Sequence, residues 1–151
     1  MRKIFGFFQV ISMVLLASAA TAQIRQITPD MAREMALAGE IVLIDIREPF
    51  EWQETGLADV ALTAAMRSEN FVETLIAIRN QNPDIPLALI CRTANRSGYM
   101  TQQLFDAGLT DVIDVIEGMA GSGTGPGWAA RGLPVRAYDA PVNAAISTIQ
   151  P

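Results

Sequence analysis

ALICRTANRSGYM, residues 88–100, sets the only cysteine of the 151-residue chain, Cys91, at the end of an apolar run and follows it with Arg92, Arg96 and Ser97. A thiol attacks as the thiolate, and the chain has no histidine to take its proton. Two devices remain. The start of a helix or a neighbouring cation can lower a thiol pKa from about 8.5 by one to several units. This segment offers both, because the loop from Cys91 to Arg96 leads from a strand into a helix that Ser97 is expected to open. The amides of Arg92, Thr93, Ala94, Asn95, Arg96 and Ser97 can then face one anion, with two guanidinium groups beside it. An inert core thiol is the plain alternative, and two arginines within five residues of the sulfur argue against it.

Composition removes most other chemistries. Without histidine there is no Ser-His-Asp triad, no Cys-His pair and almost no zinc site. One cysteine closes no internal disulfide and makes no Cys-x-x-Cys redox pair. Residues 1–22 have the build of an export signal: Arg2 and Lys3, a mostly apolar core from Ile4 to Leu16, then small residues ending in Ala20-Thr21-Ala22. Cleavage after Ala22 is expected, which puts the working chain in a periplasmic or secreted setting. An uncleaved anchor helix is the alternative, and no stop-transfer flank supports it. The signal holds two of the 11 basic residues and none of the 16 acidic ones, so the remainder carries a net charge of −7. So acidic a chain does not suit nucleic acid or anionic lipid. Lys3 is its only lysine, which rules out a Schiff-base lysine and a P-loop in the mature part.

The elements that must position Cys91 alternate between strand and helix. A short strand precedes a helix capped by Thr28, begun by Pro29 and ended at Gly39. Ile41 to Ile46 reads as a buried parallel strand, REPFEWQETG as a turn with one helical turn started by Pro49, and Val60 to Leu62 as a weak strand. A helix capped by Ser68 runs to about Asn80, with Phe71, Val72, Leu75, Ile76 and Ile78 on its apolar face. Leu87 to Ile90 is a strand, Ser97 to Ala107 a helix, and Val112 to Ile116 a strand. Gly118 to Gly127 is a glycine-rich loop and WAARGLPV a short helix. These elements make one domain of the α/β class with a mainly parallel sheet covered on both faces. It is expected to span 23–137, with 138–151 as a tail.

LIDIREPFEW, LICRTANRSGYMTQQLFDAGLTDVIDVIEG and GPGWAARGLPV together resemble a single-domain rhodanese of the thiosulfate sulfurtransferase type. The resemblance implies a five-stranded parallel sheet flanked by helices and a Cys91 that carries sulfur as a persulfide. It implies that Arg92 to Arg96 cradle the anionic substrate and that Ser97 closes the loop. Asp45 and Arg47 match an Asp-x-Arg after the central strand and are expected to brace the loop as an ion pair. Trp128 is assigned to packing. The chain departs from the family in TGLADVAL, which lacks the usual His and Pro, and in the spread-out GMAGSGTGPGW.

The chemistry implied is transfer from thiosulfate or a similar anionic donor to cyanide or a thiol, or to a protein acceptor. It needs no metal and no organic cofactor, and a monomer suffices. Two alternatives stand beside it. A rhodanese-like carrier or binding module would hold sulfur without turnover. A phosphatase or arsenate enzyme would need five residues between Cys and Arg, where CRTANR has four.

Overall fold

Residues 23–139 are described by a computed structural model. Chain order is β1 (Arg25–Ile27), α1 (Pro29–Leu37), β2 (Val42–Asp45), α2 (Pro49–Thr55), β3 (Leu57–Ala58) and β4 (Leu62–Thr63). It continues with α3 (Phe71–Gln81), β5 (Leu87–Ile90), α4 (Asn95–Asp106), β6 (Val112–Val115), α5 (Gly127–Ala130) and β7 (Val135–Arg136). The export signal expected over 1–22, and the tail beyond residue 139, lie outside these residues.

Five strands form one sheet in the order β1-β6-β5-β2-β4, and every pairing in it is parallel. The three-layer α/β architecture implied by the resemblance is therefore present. β5 sits at the centre and is buried at all four positions, which is why LALI carries no polar alternation. Strand alternation divides the apolar side chains between two faces. Ile27, Leu43, Ala88, Ile90, Ile113 and Val115 join Ala32 of α1 and Trp128 of α5 in one cluster. Ile44, Leu87, Leu89 and Cys91 join Phe71, Leu75 and Ile78 of α3 in the other, with Met100 and Leu104 of α4 against them. Among the described residues no helix is long and apolar enough to cross a membrane.

Local rules explain most boundaries. Thr28 caps α1 by accepting the Met31 amide at 3.5 Å, with Pro29 in the first turn. α2 runs longer than the single turn expected, with Glu48 and Glu51 forming a reciprocal capping box at its start. α3 begins at Phe71 with Asn70 before it, so Ser68 is not its cap. The weak strand expected near Val60 is replaced by two short ones. β4 joins the sheet edge, while β3 pairs antiparallel with β7 in a separate two-stranded ladder.

Candidate active site

Cys91 follows the last residue of the central strand, where the open end of a parallel sheet receives ligands. The chain then turns through Ala94, the one non-glycine residue among those described with a positive φ, 66°. A left-handed alanine costs roughly 1–2 kcal/mol. Here it lets α4 begin at Asn95, two residues ahead of the expected start, which makes Ser97 the third helical residue. The Ser97 amide points at Cys91 Sγ at 3.4 Å, and its hydroxyl donates to the Ala94 carbonyl at 3.2 Å. The backbone amides of residues 92–96 have no acceptor among the described residues. Six amides thus share one short loop, with that of Ser97 against the sulfur, the makings of an anion cradle. Cys91 itself is only 1% exposed.

The two loop arginines part company. Arg96 Nη1 and Nη2 each donate to a Glu51 carboxylate oxygen at 2.7 Å. Glu51 also accepts the Glu48 amide at 3.0 Å, so α2 and the loop are tied through one carboxylate. Burial alone would raise the Glu51 pKa. The hydrogen bonds from Arg96 and Glu48 and the charges of Arg96 and Arg47 outweigh it and hold the group below its ordinary value. Arg96 is held protonated chiefly by its hydrogen bond to Glu51, with lesser attraction from Cys91 and Glu48. Arg92 is exposed, and its guanidinium has no partner among the described residues. It borders a small cleft of about 100 Å³ together with Arg47, Glu51, Glu54, Met119 and Ala120; Cys91 is not among the walls.

Asp45 and Arg47 form a buried ion pair, which braces α2 against β2 and not the Cys91 loop. Arg47 Nε lies 3.0 Å from both Asp45 oxygens and Nη2 2.7 Å from Oδ2. The same guanidinium reaches Thr55 Oγ1 and the Gly56 carbonyl at 2.7 Å each, fixing the C-terminal end of α2 relative to β2. Neither side chain takes part in the Cys91 loop.

The glycine-rich segment supports the loop from below. Met119 and Ala120 amides donate to the carbonyls of Cys91 and Arg92 at 2.9 and 2.8 Å. Gly118 has φ 69°, and a Cβ there would sit 2.6 Å from the Arg92 carbonyl oxygen, so backbone passes where no side chain fits. Glu117 anchors the segment by accepting the Gly127 amide at 2.9 Å and Arg131 Nε at 2.7 Å. Arg131 also pairs with Asp30 of α1. Its hydrogen bond to Glu117 is the chief reason that the Glu117 pKa lies below the ordinary range. Trp128 is fully buried and donates from Nε1 to the Pro134 carbonyl at 2.9 Å, in keeping with a packing role.

Sequence reasoning found the contiguous part of this site and missed Glu51, Glu117 and the glycine segment's contact with Cys91. Glu48-x-x-Glu51 has capping-box spacing, the one local signal available for Glu51. Among the described residues no group of three or more His, Cys, Asp or Glu could hold a metal ion.

A family model described as a rhodanese-like domain matches residues 28–122. Among solved structures, Rv0390 from M. tuberculosis is 28% identical, with a TM-score of 0.57 over 74% of this chain and 96% of that one. A polysulfide-sulfur transferase homodimer from Wolinella succinogenes is 26% identical, with a TM-score of 0.57 over 78% of this chain and 81% of that one. A Rhodopseudomonas palustris CGA009 protein described as a possible tyrosine phosphatase is 22% identical, with a TM-score of 0.59 over 87% of this chain and all of that one. The last likeness speaks to fold alone.

Proposed function

The chain belongs to the rhodanese-like domain family, and on that premise we propose that it is a sulfurtransferase carrying sulfur on Cys91. The observation that carries the reading is the Ser97 amide on Sγ at 3.4 Å, in a loop with five further unclaimed amides and the unpaired Arg92 beside it. The thiolate attacks the outer sulfur of thiosulfate or a similar donor. The donor's S–S bond breaks, sulfite leaves with the electron pair, and a Cys91 persulfide remains. Cyanide or a thiol then attacks the terminal sulfur and returns the thiolate. Arg92 holds the donor's oxyanion at the loop mouth, and the amides stabilise the thiolate and the persulfide anion. Arg96, bound to Glu51, shapes the loop rather than meeting the donor directly.

The work is done outside the cytoplasm after cleavage near Ala22. The sulfur acceptor is a thiol or a partner protein, and the chain acts as a monomer. Four residues between Cys91 and Arg96 make a tighter loop than phosphoryl transfer needs. Aryl phosphates are therefore poor substrates.

Intact mass tests this directly. Treatment with thiosulfate and desalting should add one sulfur, cyanide should remove it, and Cys91→Ser should show neither change. The same spectrum reads whether the chain starts at Gln23. Sulfite release from Cys91→Ser, or a folded protein that never gains the sulfur, would refute the assignment. The burial of Cys91 favours one second reading, a carrier that loads slowly from small donors and discharges to a docked protein. Slow thiosulfate turnover with rapid discharge of a preformed persulfide to a protein thiol would select it.

A further inference from the structure

Glu117 is 2% exposed just beyond the end of β6, and the reaction above leaves it unused. Its carboxylate draws the two ends of the glycine segment together. Oε2 accepts the Gly127 amide at 2.9 Å and Arg131 Nε at 2.7 Å, and Oε1 accepts from Arg131 Nη2. Gly125 leaves room for the group, because a Cβ there would lie 2.4 Å from its carboxyl carbon. Arg131 balances the charge and is held in turn by Asp30 of α1. The stretch directly after Glu117 meets the Cys91 loop, where the Met119 and Ala120 amides donate to the carbonyls of Cys91 and Arg92 at 2.9 and 2.8 Å.

Those two bonds decide where the loop amides face. In a planar trans peptide unit the C=O and N–H point in opposite directions. The Cys91 carbonyl shares its unit with the Arg92 amide, and the Arg92 carbonyl shares its unit with the Thr93 amide. Both carbonyls turn toward the glycine segment, so both amides turn away from it. The segment packs through Met119 and Trp128 into the cluster on one face of the sheet, whereas Cys91 belongs to the cluster on the other. The Arg92 and Thr93 amides are thereby presented on the sulfur's side, with no acceptor among the described residues. A peptide unit that accepts at its carbonyl is also polarised to donate more strongly at its N–H. We propose that Glu117 is a positioning residue for the anion cradle: by closing the glycine segment it holds the Cys91 and Arg92 carbonyls, and so aims the Arg92 and Thr93 amides at the bound donor. The proposal rests on the reading of the Cys91 loop as the donor site. Without the carboxylate, the Gly127 amide and Arg131 lose their common acceptor, residues 118–120 loosen, and the two peptide units can rotate their amides out of the cradle.

Cys91→Ser stops the reaction and keeps the loop, so thiosulfate can be titrated into the 15N-labelled full chain in that background. The titration reads an affinity and a shift for each loop amide. Glu117→Gln keeps the size of the side chain and turns one of its acceptors into a donor. Ile41→Val removes a core methylene at the far end of β2 from the Cys91 loop and serves as the control for lost stability, with thermal melts of both. E117Q should bind thiosulfate about tenfold more weakly, the loss expected for one hydrogen bond to a charged group. The thiosulfate-induced shifts of the Arg92 and Thr93 amides should shrink, while that of Ser97 persists. I41V should keep the parent affinity and shifts. Unchanged affinity in E117Q would overturn the proposal, and so would an equal loss in I41V or a loss spread evenly over all loop amides. Thiosulfate that moves no loop amide in the parent would remove the cradle itself. The expected pattern in a protein whose Cys91 form never gains sulfur would uphold the role of Glu117 and remove the sulfurtransferase reading, so the two failures stay distinct.

Discussion

Arg92 and Arg96 stand four residues apart with the same charge and do different work. Arg96 carries a two-pronged bond to a nearly buried carboxylate, and removing it strands Glu51 at 5% exposure without its cation. Arg92 is exposed and has no partner among the described residues, so its charge is available at modest strength, reduced by solvent. Arg92→Ala should therefore raise KM for thiosulfate up to about tenfold and leave the melting temperature nearly unchanged. Arg96→Ala should lower stability by roughly 1–3 kcal/mol, the cost of an unpaired buried partner. Steady-state kinetics and thermal melts of both variants check the division. Equal effects on KM with unchanged melts in both would show that the Arg96–Glu51 bond does not hold in solution.

The glycine segment after β6 shows how an element without regular structure can fix a reacting group. It approaches the Cys91 loop backbone to backbone at Gly118, while Gly127 folds the segment closely on itself. A Cβ at Gly127 would lie 2.2 Å from the Gly121 nitrogen, and one at Gly118 would press on the carbonyls of Arg92 and Cys91 at 2.6 and 2.8 Å. Gly127→Ala should cost about 1–3 kcal/mol from left-handed strain, with more from the clash, and act mainly on stability. Gly118→Ala should cost a similar amount and also slow persulfide formation, because the displaced atoms belong to the loop. Denaturant unfolding beside single-turnover sulfur loading would separate the two. Loading in Gly118→Ala equal to that in Gly127→Ala would deny the segment its supporting role. What the sequence showed of these elements follows from locality. β2 and β6 are legible as short β-branched apolar runs, β5 as a short apolar run ending at Cys91, and α1 by its Thr28-Pro29 start. The start of α4 was misplaced because Ser97 has the chemistry of a cap, whereas the turn is made by Ala94, whose type gives no hint of φ 66°. The β3–β7 ladder is two residues long on each side and joins segments far apart in the chain. The Arg96–Glu51 bond spans 45 residues, and periodicity carries no information about such a pairing.

At the scale of the whole molecule, an acidic protein is asked to receive an anion. The chain beyond residue 22 carries nine basic against 16 acidic residues, all nine of them arginine. Most of these guanidinium groups are engaged: Arg33 with Asp59, Arg47 with Asp45, Arg79 with Asp111, Arg96 with Glu51 and Arg131 with Glu117. Long-range repulsion of a doubly charged donor is thus set against local attraction by Arg92. Salt weakens both over a Debye length of about 10 Å at 0.1 M, but it does not remove the hydrogen bonds of the amide cradle. Three consequences follow for kcat/KM with thiosulfate. In Arg92→Ala it should rise as ionic strength increases, because only the repulsion is screened. In the wild type it should rise less or fall. The ratio of wild type to variant should therefore shrink steadily toward one. A ratio independent of salt would mean that Arg92 acts through the shape of the loop and not through its charge, and would leave the amides as the donor's whole attraction to the site.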